Sequence, residues 1–398
     1  NGMPISLSRG ANGAFPPALL RYYAHLITTT PQEEVRPSMV GHTIVRREAV
    51  GVVAAVVPWN YPQALAAFKF APALAAGCTV VLKAAAETAL DALVFAEAAQ
   101  ACGLPAGALN VIPGGAAAGA HLVSHPGVDK VTFTGSTATG RVIGEVCGRL
   151  LRPVTLELGG KSAAIILDDA DLDVTMRGLR SASFVNNGQT CFLSSRILAP
   201  RSRYAEIVEA LAALADGLRV GNPLDSATDV GPLVSERQRD RVLDFVASAA
   251  NSGAKLVAGG SIPKDRDRGW FVAPTVFADV DNSDRLAREE VFGPVLAVIP
   301  YVTESDAIAL ANESEFGLAG TVWSSDEDRA MEVARALETG TVGINDYQLD
   351  FRAPFGGVKA SGIGRELGPE GLDSFFSLKS IYRTGQPALP HPTPGMQP

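Results

Sequence analysis

Cys191 stands in "FVNNGQTCFLSSR", residues 184–196, between a glycine-containing bend and a run of small polar residues. The nucleophilic form of cysteine is the thiolate, and a free thiol ionises only around pH 8.5. A reactive Cys191 therefore needs a proton acceptor, yet residues 184–196 hold no His, Asp or Glu. Glu157 in "LELGGK", 34 residues upstream, is a candidate. It lies between Leu156 and Leu158 on a strand expected to be buried on both faces, and carboxylates are almost never fully buried without a reason. Two readings stay open. Glu157 closes a salt bridge or cap at the strand end, or it is a general base whose pKa burial raises. Gly159 and Gly160 behind it let a chain or ligand come close.

Other constellations carry less. No G-x-G-x-x-G opens a helix, "GSTATGRV" lacks the Lys and Ser/Thr of a P-loop, and "ELGGKS" has Thr155 where the leading glycine belongs. "VTFTGSTATG" reads as strand, small-residue turn and helix start, which suits a pyrophosphate or an ordinary strand-to-helix turn. His121 and His125 are four apart, but no Glu lies between them and Pro126 follows at once, so a surface or capping role is expected. No metal site is expected. The four cysteines form no CxxC and no disulfide framework, which points to a reducing, cytoplasmic setting. Cys78, Cys102 and Cys147 read as core.

These residues need a scaffold. Short β-branched runs alternate with alanine-rich ones, the pattern of βαβ units around a parallel sheet. Strands are expected at "VGVVAAVV", "CTVVLK", "ALNVIPG", "KVTFTG", "PVTLELGG", "SAAIILD", "SSRILAP", "GPVLAVIPY", "LAGTVWS" and "TGTVGIN", with helices between most of them. One of these helices is expected from Asp171 to about Asn186, and the stretch between "ADGL" and "GPVLAVIPY" reads as irregular. Residues 29–48 suggest an extended hairpin, and 387–398 form a Pro-rich tail. At 398 residues, two domains are expected. A net charge of −8 argues against a nucleic-acid surface. The most apolar segment is cut by Pro58, Pro62, Lys69 and Pro72, so no membrane span is expected, and no signal peptide is visible.

"VVPWNYP", "FTGSTATG", "LELGGKS", "NNGQTC", "EEVFGPV", "NDYQLDFRAPFGGVKASGIGRELG" and "GLDSFF" occur in the order and at about the spacing of the NAD(P)-dependent aldehyde dehydrogenase superfamily. The chain resembles that family from residue 1 to about 384. The resemblance implies an α/β fold with a Rossmann-type cofactor domain (1–28 and 49–158) and an α/β catalytic domain (159–361). A small β bridging element (29–48 and 376–386) makes dimers or tetramers in the family. It also implies a helical segment ahead of residue 1.

By this resemblance Cys191 attacks an aldehyde, Asn60 and the Cys191 N–H hold the oxyanion, and Glu157 activates the water that hydrolyses the thioester. Lys69 steadies these groups and Glu366 relays protons. Val57, Pro58, Trp59, Lys83, Gly135, Ser136, Leu158, Glu290 and Phe292 would hold NAD or NADP. Tyr61, Leu65, Phe68, Phe192 and Phe355 would line an apolar substrate pocket, with Arg352 close by. Two departures matter. Phe192 stands where smaller residues are usual. Ala86 replaces a glutamate that, in relatives strict for NAD, binds the adenosine ribose, which leaves NADP acceptable. A related subgroup transfers the acyl group to CoA, but it usually lacks the glutamate present here as Glu157. A catalytically silent protein of the same fold is disfavoured by Cys191, Glu157 and Asn60 together.

Overall fold

β-Branched runs and alanine-rich runs alternate into strands and covering helices. A computed structural model describes residues 1–266 and 268–385; the Pro-rich tail 387–398 and residue 386 lie outside the described residues. Helix α1 (Ile5–Ser8) runs through a π-helical turn into α2 (Phe15–Thr29), whose Pro16 sits in the first turn, where a missing N–H costs nothing. The expected hairpin follows as β1 (Glu33–Ser38) and β2 (Gly41–Ala49). Next come β3 (Val52–Val56), α3 (Pro62–Ala75), β4 (Thr79–Ala84), α4 (Ala89–Ala101), β5 (Leu109–Pro113), α5 (Ala116–Ser124), β6 (Lys130–Thr134), α6 (Thr137–Arg149) and β7 (Val154–Glu157).

The second half runs β8 (Ser162–Ile166), α7 (Leu172–Phe184), β9 (Ser194–Pro200), α8 (Tyr204–Gly217), α9 (Glu236–Asn251), β10 (Lys255–Ala258), β11 (Thr275–Ala278), α10 (Arg285–Arg288) and β12 (Val295–Tyr301). It continues with α11 (Glu304–Asn312), β13 (Phe316–Gly317), β14 (Ala319–Trp323), α12 (Glu327–Ala336) and β15 (Thr341–Ile344). The chain then crosses back through β16 (Val358–Lys359), β17 (Gly362–Ile363), α13 (Gly368–Asp373) and β18 (Phe376–Thr384).

Two parallel sheets result. The first has the order β17-β7-β6-β3-β4-β5, with only β17 antiparallel; the second is β10-β11-β12-β9-β8-β14-β15, with only β10 antiparallel. Both faces of the first sheet are covered. Val53, Ala55, Val80 and Leu82 pack with α3, and Ala54, Val56, Val131, Phe133 and Leu156 pack with residues of α5 and α6. Almost every residue of α3 is therefore apolar and buried, and Lys69 is the exception that needs an explanation. β18 joins β2 and β1 in a separate antiparallel sheet.

Three expectations are corrected. The stretch read as irregular contains α9, β10 and β11. α9 is capped by Ser235, whose hydroxyl accepts from the Gln238 N–H, and it buries Val242, Phe245, Val246 and Ala249 at helical spacing. The helix expected to reach Asn186 stops at Phe184, because Asn186 and Asn187 take left-handed backbone angles. Cys102 is exposed beyond the end of α4, and only Cys78 and Cys147 are core.

Candidate active site

The Cys191 loop is built by its own side chains. Asn186, Asn187 and Gly188 have φ of 53°, 61° and 75°, a left-handed run that Asn tolerates and Gly favours. A side chain at Gly188 would also press on the Gly293 carbonyl. The Asn186 amide donates to the Asn60 carbonyl (3.1 Å). Asn187 donates to the Pro232 carbonyl (3.0 Å) and accepts from the Gly231 N–H (2.6 Å). Gln189 Oε1 accepts from the Val234 N–H (3.0 Å). All three side chains are buried. None was singled out from sequence, although Asn-Asn-Gly is itself a signal for positive φ.

Asn60 comes from the bend between β3 and α3, and its Nδ2 donates to the Gln189 carbonyl at 3.0 Å. One amide hydrogen is thus committed to the loop, and Asn60 and Cys191 line the same cleft. Tyr61 and Thr190 share a hydroxyl hydrogen bond at 2.9 Å on the flank of the same loop.

Burial pushes the Cys191 thiol well above its ordinary range, and the charges of Glu290 and Glu157 push it further; the Cys191 and Phe192 N–H groups oppose them. Glu157, at the end of β7, is only 3% exposed. Burial raises its carboxyl well above the usual range, Glu366 adds to the rise, and Lys69 and Arg365 pull against it. Its Oε1 has no partner among the described residues. Gly356, with φ of 152°, lies so close that a Cβ there would stand 2.5 Å from that oxygen. Lys69 Nζ binds Glu366 Oε1 at 2.5 Å and donates to Thr134 at 2.7 Å, while Thr132 donates to the same carboxylate oxygen (3.1 Å). Lys69 and Glu366, each expected at the site, are thus joined directly, and the charges of both act on Glu157.

A cleft of about 750 Å³ ends at Cys191. Its walls include the expected oxyanion donor Asn60 and, of the residues the resemblance assigned to the cofactor, Pro58, Trp59, Gly135, Ser136, Leu158, Glu290 and Phe292. Ser136 caps α6, so the helix start with its free N–H groups opens into the cleft. Trp59 meets the Phe292 ring edge-on at 5.4 Å, and Phe292 holds a left-handed φ of 60°. Glu290 Oε1 accepts from the Gly160 N–H at 3.1 Å. Burial lifts the Glu290 carboxyl to about 7, against that N–H and the charges of Lys161 and Arg241. Val57 and Lys83 are buried and off the cleft wall; the Val57 N–H donates to the Lys83 carbonyl. Gln238 and Arg241 were missed because α9 was missed; both line the cleft, and Gln238 donates to the Phe292 carbonyl at 2.9 Å. The volume and the polar rim fit a dinucleotide.

On the other side Leu65, Phe68 and Phe355 belong to one apolar cluster, with Tyr61, Cys191 and Phe192 packed on it. Phe192 stacks on Tyr347 at 4.7 Å and meets Phe355 edge-on at 6.5 Å. Tyr347 was not foreseen. Among the described residues no group of three potential metal ligands gathers, and no helix is long and apolar enough to cross a membrane.

Two parallel α/β sheets and a dinucleotide-sized cleft that stops at a thiol define a nucleotide-dependent enzyme. The profile of the aldehyde dehydrogenase family matches residues 1–381. A geranial dehydrogenase of Castellaniella defragrans is 57% identical over 386 residues, 97% of this chain and 80% of the relative. A peroxisomal aminoaldehyde dehydrogenase of Pisum sativum is 42% identical over 372 residues, covering 92% and 74% of the two chains. The crystal structure of a Mycobacterium tuberculosis aldehyde dehydrogenase complexed with NAD+ superposes with a TM-score of 0.95 at 49% identity, over 96% of this chain and 80% of that one. The chain belongs to the aldehyde dehydrogenase family, whose members are NAD(P)-dependent oxidoreductases.

Proposed function

We propose that the chain oxidises uncharged, apolar aldehydes to carboxylic acids through a thioester on Cys191, which Glu157 hydrolyses. The Cys191 thiol gives its proton to solvent water in the cleft, the thiolate sulfur bonds to the carbonyl carbon, and the carbonyl π pair moves to the oxygen. The free Asn60 N–H and the Cys191 N–H stabilise that oxyanion; losing one such donor typically costs about 3 kcal/mol of barrier. The bound nicotinamide supplies the acceptor for the hydride that leaves the carbon. Glu157 then takes a proton from water, the hydroxide adds to the thioester carbon, and the C–S bond breaks to return the sulfur with its electron pair. Glu366, held by Lys69, would take the proton onward. Trp59, Ser136, Glu290 and Phe292 would hold the cofactor.

The observation that carries this reading is that Cys191 and Asn60 line one cleft while the buried Glu157 lies near enough for its charge to act on the thiol. Cys191→Ser should lose NADH formation almost entirely while cofactor binding, read by fluorescence quenching, persists. Retention of a tenth of wild-type turnover would require another nucleophile.

The substrate class follows from the lining. Leu65, Phe68, Phe192, Tyr347 and Phe355 offer a charged group no partner, and an unpaired carboxylate there would cost several kcal/mol. The name of the geranial dehydrogenase relative agrees with an apolar aldehyde. Geranial or hexanal should therefore show a higher kcat/KM than succinic semialdehyde or 4-aminobutanal, and the reverse order would overturn the assignment. We further infer a cytoplasmic homodimer or homotetramer, supported by free cysteines and an exposed three-stranded sheet.

A further inference from the structure

The loop that carries Cys191 is anchored upstream by Asn186, Asn187 and Gln189. Its downstream side is held differently. Phe192, the next residue, lies flat on Tyr347 with ring centres 4.7 Å apart and planes at 24°. Tyr347 is itself fixed. The Thr341 hydroxyl donates to the Leu318 carbonyl (3.1 Å), so the Tyr347 O–H is the donor in its 2.8 Å bond to Thr341 Oγ1. The Tyr347 N–H donates to Asp346 Oδ1 at 2.7 Å. Thr341 belongs to β15, the edge strand of the second sheet, so the stack ties the nucleophile loop to that sheet.

We propose that Tyr347 is a positioning residue for the nucleophile, holding Phe192 by ring stacking so that the Cys191–Phe192 backbone keeps its N–H groups turned toward the sulfur. The inference rests on the reading of Cys191 as the nucleophile. Those N–H groups are the ones that favour the thiolate against burial, Glu290 and Glu157. Tyr61 and Tyr347 also face the thiol, and each feels its charge. The stack also accounts for a phenylalanine beside the nucleophile, where a small side chain would leave the loop loose.

The test is the pH profile of Cys191 alkylation by iodoacetamide, followed on its own peptide by mass spectrometry so that exposed Cys102 does not interfere. Tyr347→Ala should raise the midpoint by about half to one pH unit, the size of one lost aromatic pair. Tyr347→Phe keeps the ring and loses only the Thr341 bond, so it should shift the midpoint by clearly less than Tyr347→Ala. Phe192→Ala should reproduce the shift, and the double variant should shift no further than either single one. An unmoved midpoint in Phe192→Ala, or a Tyr347→Phe shift as large as that of Tyr347→Ala, would overturn the proposal. If Tyr347→Ala does not fold, the Phe192→Ala and Tyr347→Phe arms still decide it. Failure of the nucleophile reading would appear separately, as oxidation surviving in Cys191→Ser.

Discussion

A carboxylate acts as a base near neutral pH only if something keeps it from ionising too easily, and for Glu157 that something is chiefly burial. The sign of the pH dependence follows. A base with a raised pKa loses its proton-accepting form as pH falls through that value, so thioester hydrolysis should fail well above the pH at which an exposed glutamate is protonated. Glu157→Gln separates this step from the earlier ones. It should leave the pre-steady-state burst of NADH and slow the linear phase by about 10² or more, the usual scale for a general base. A lost burst with steady turnover barely changed would contradict the assignment. Its partner groups were foreseen only through the family resemblance. Lys69 and Glu366 are 297 residues apart in sequence, and no local pattern marks such a pair.

At the scale of elements, the cofactor preference rests on a single turn. Lys83 is the next-to-last residue of β4, and the exposed Ala86 begins the 3₁₀ turn Ala86–Thr88 that follows. Burial lowers the Lys83 amine, and the Glu87 charge opposes that. With alanine at 86, no carboxylate at that position repels a 2′-phosphate, so kcat/KM for NAD and NADP should lie within about tenfold, or 1.4 kcal/mol. Ala86→Glu should shift preference toward NAD; a wild-type preference for NAD near a thousandfold would show that Glu87 or another group already excludes the phosphate. The elements legible in sequence were those with one clean period. β3 is an unbroken apolar run and β4 carries one over Val80–Leu82, as strands buried on both faces tend to, while β6 alternates polar and apolar residues although all five are buried. α9 was hidden because five of the six residues 236–241 are charged, although Ser235 and the spacing of Val242, Phe245, Val246 and Ala249 carried the signal. β17 has two residues and pairs with β7 only through tertiary packing, so nothing local could reveal it. Cys191, Glu157 and Asn60 stood out because each sits in a motif with glycine or proline close by, whereas Tyr347 works through a stack that only the fold creates.

At the scale of the whole molecule, the two parallel sheets leave the third sheet with little to cover it. In the order β1-β2-β18, β18 pairs on one side alone among the described residues, and eight of its nine residues are exposed. Leu378 and Tyr382 are 67% and 81% exposed, and Met39 and Val40 at the tip of the hairpin are fully or largely so. A long open edge with apolar side chains is a ready template for pairing with another chain. β15, the far edge of the second sheet, is half-buried and also pairs on one side only. One copy's β18 could therefore continue another copy's β15, and two such contacts related by a twofold axis close a dimer. Light scattering after gel filtration at micromolar concentration should then give a dimer or tetramer mass. Leu378→Glu together with Tyr382→Lys places charges on the exposed surface of β18 and should yield monomers with unchanged far-UV circular dichroism. A wild-type monomer at these concentrations, or a double variant that still assembles, would remove the β18 edge from the interface.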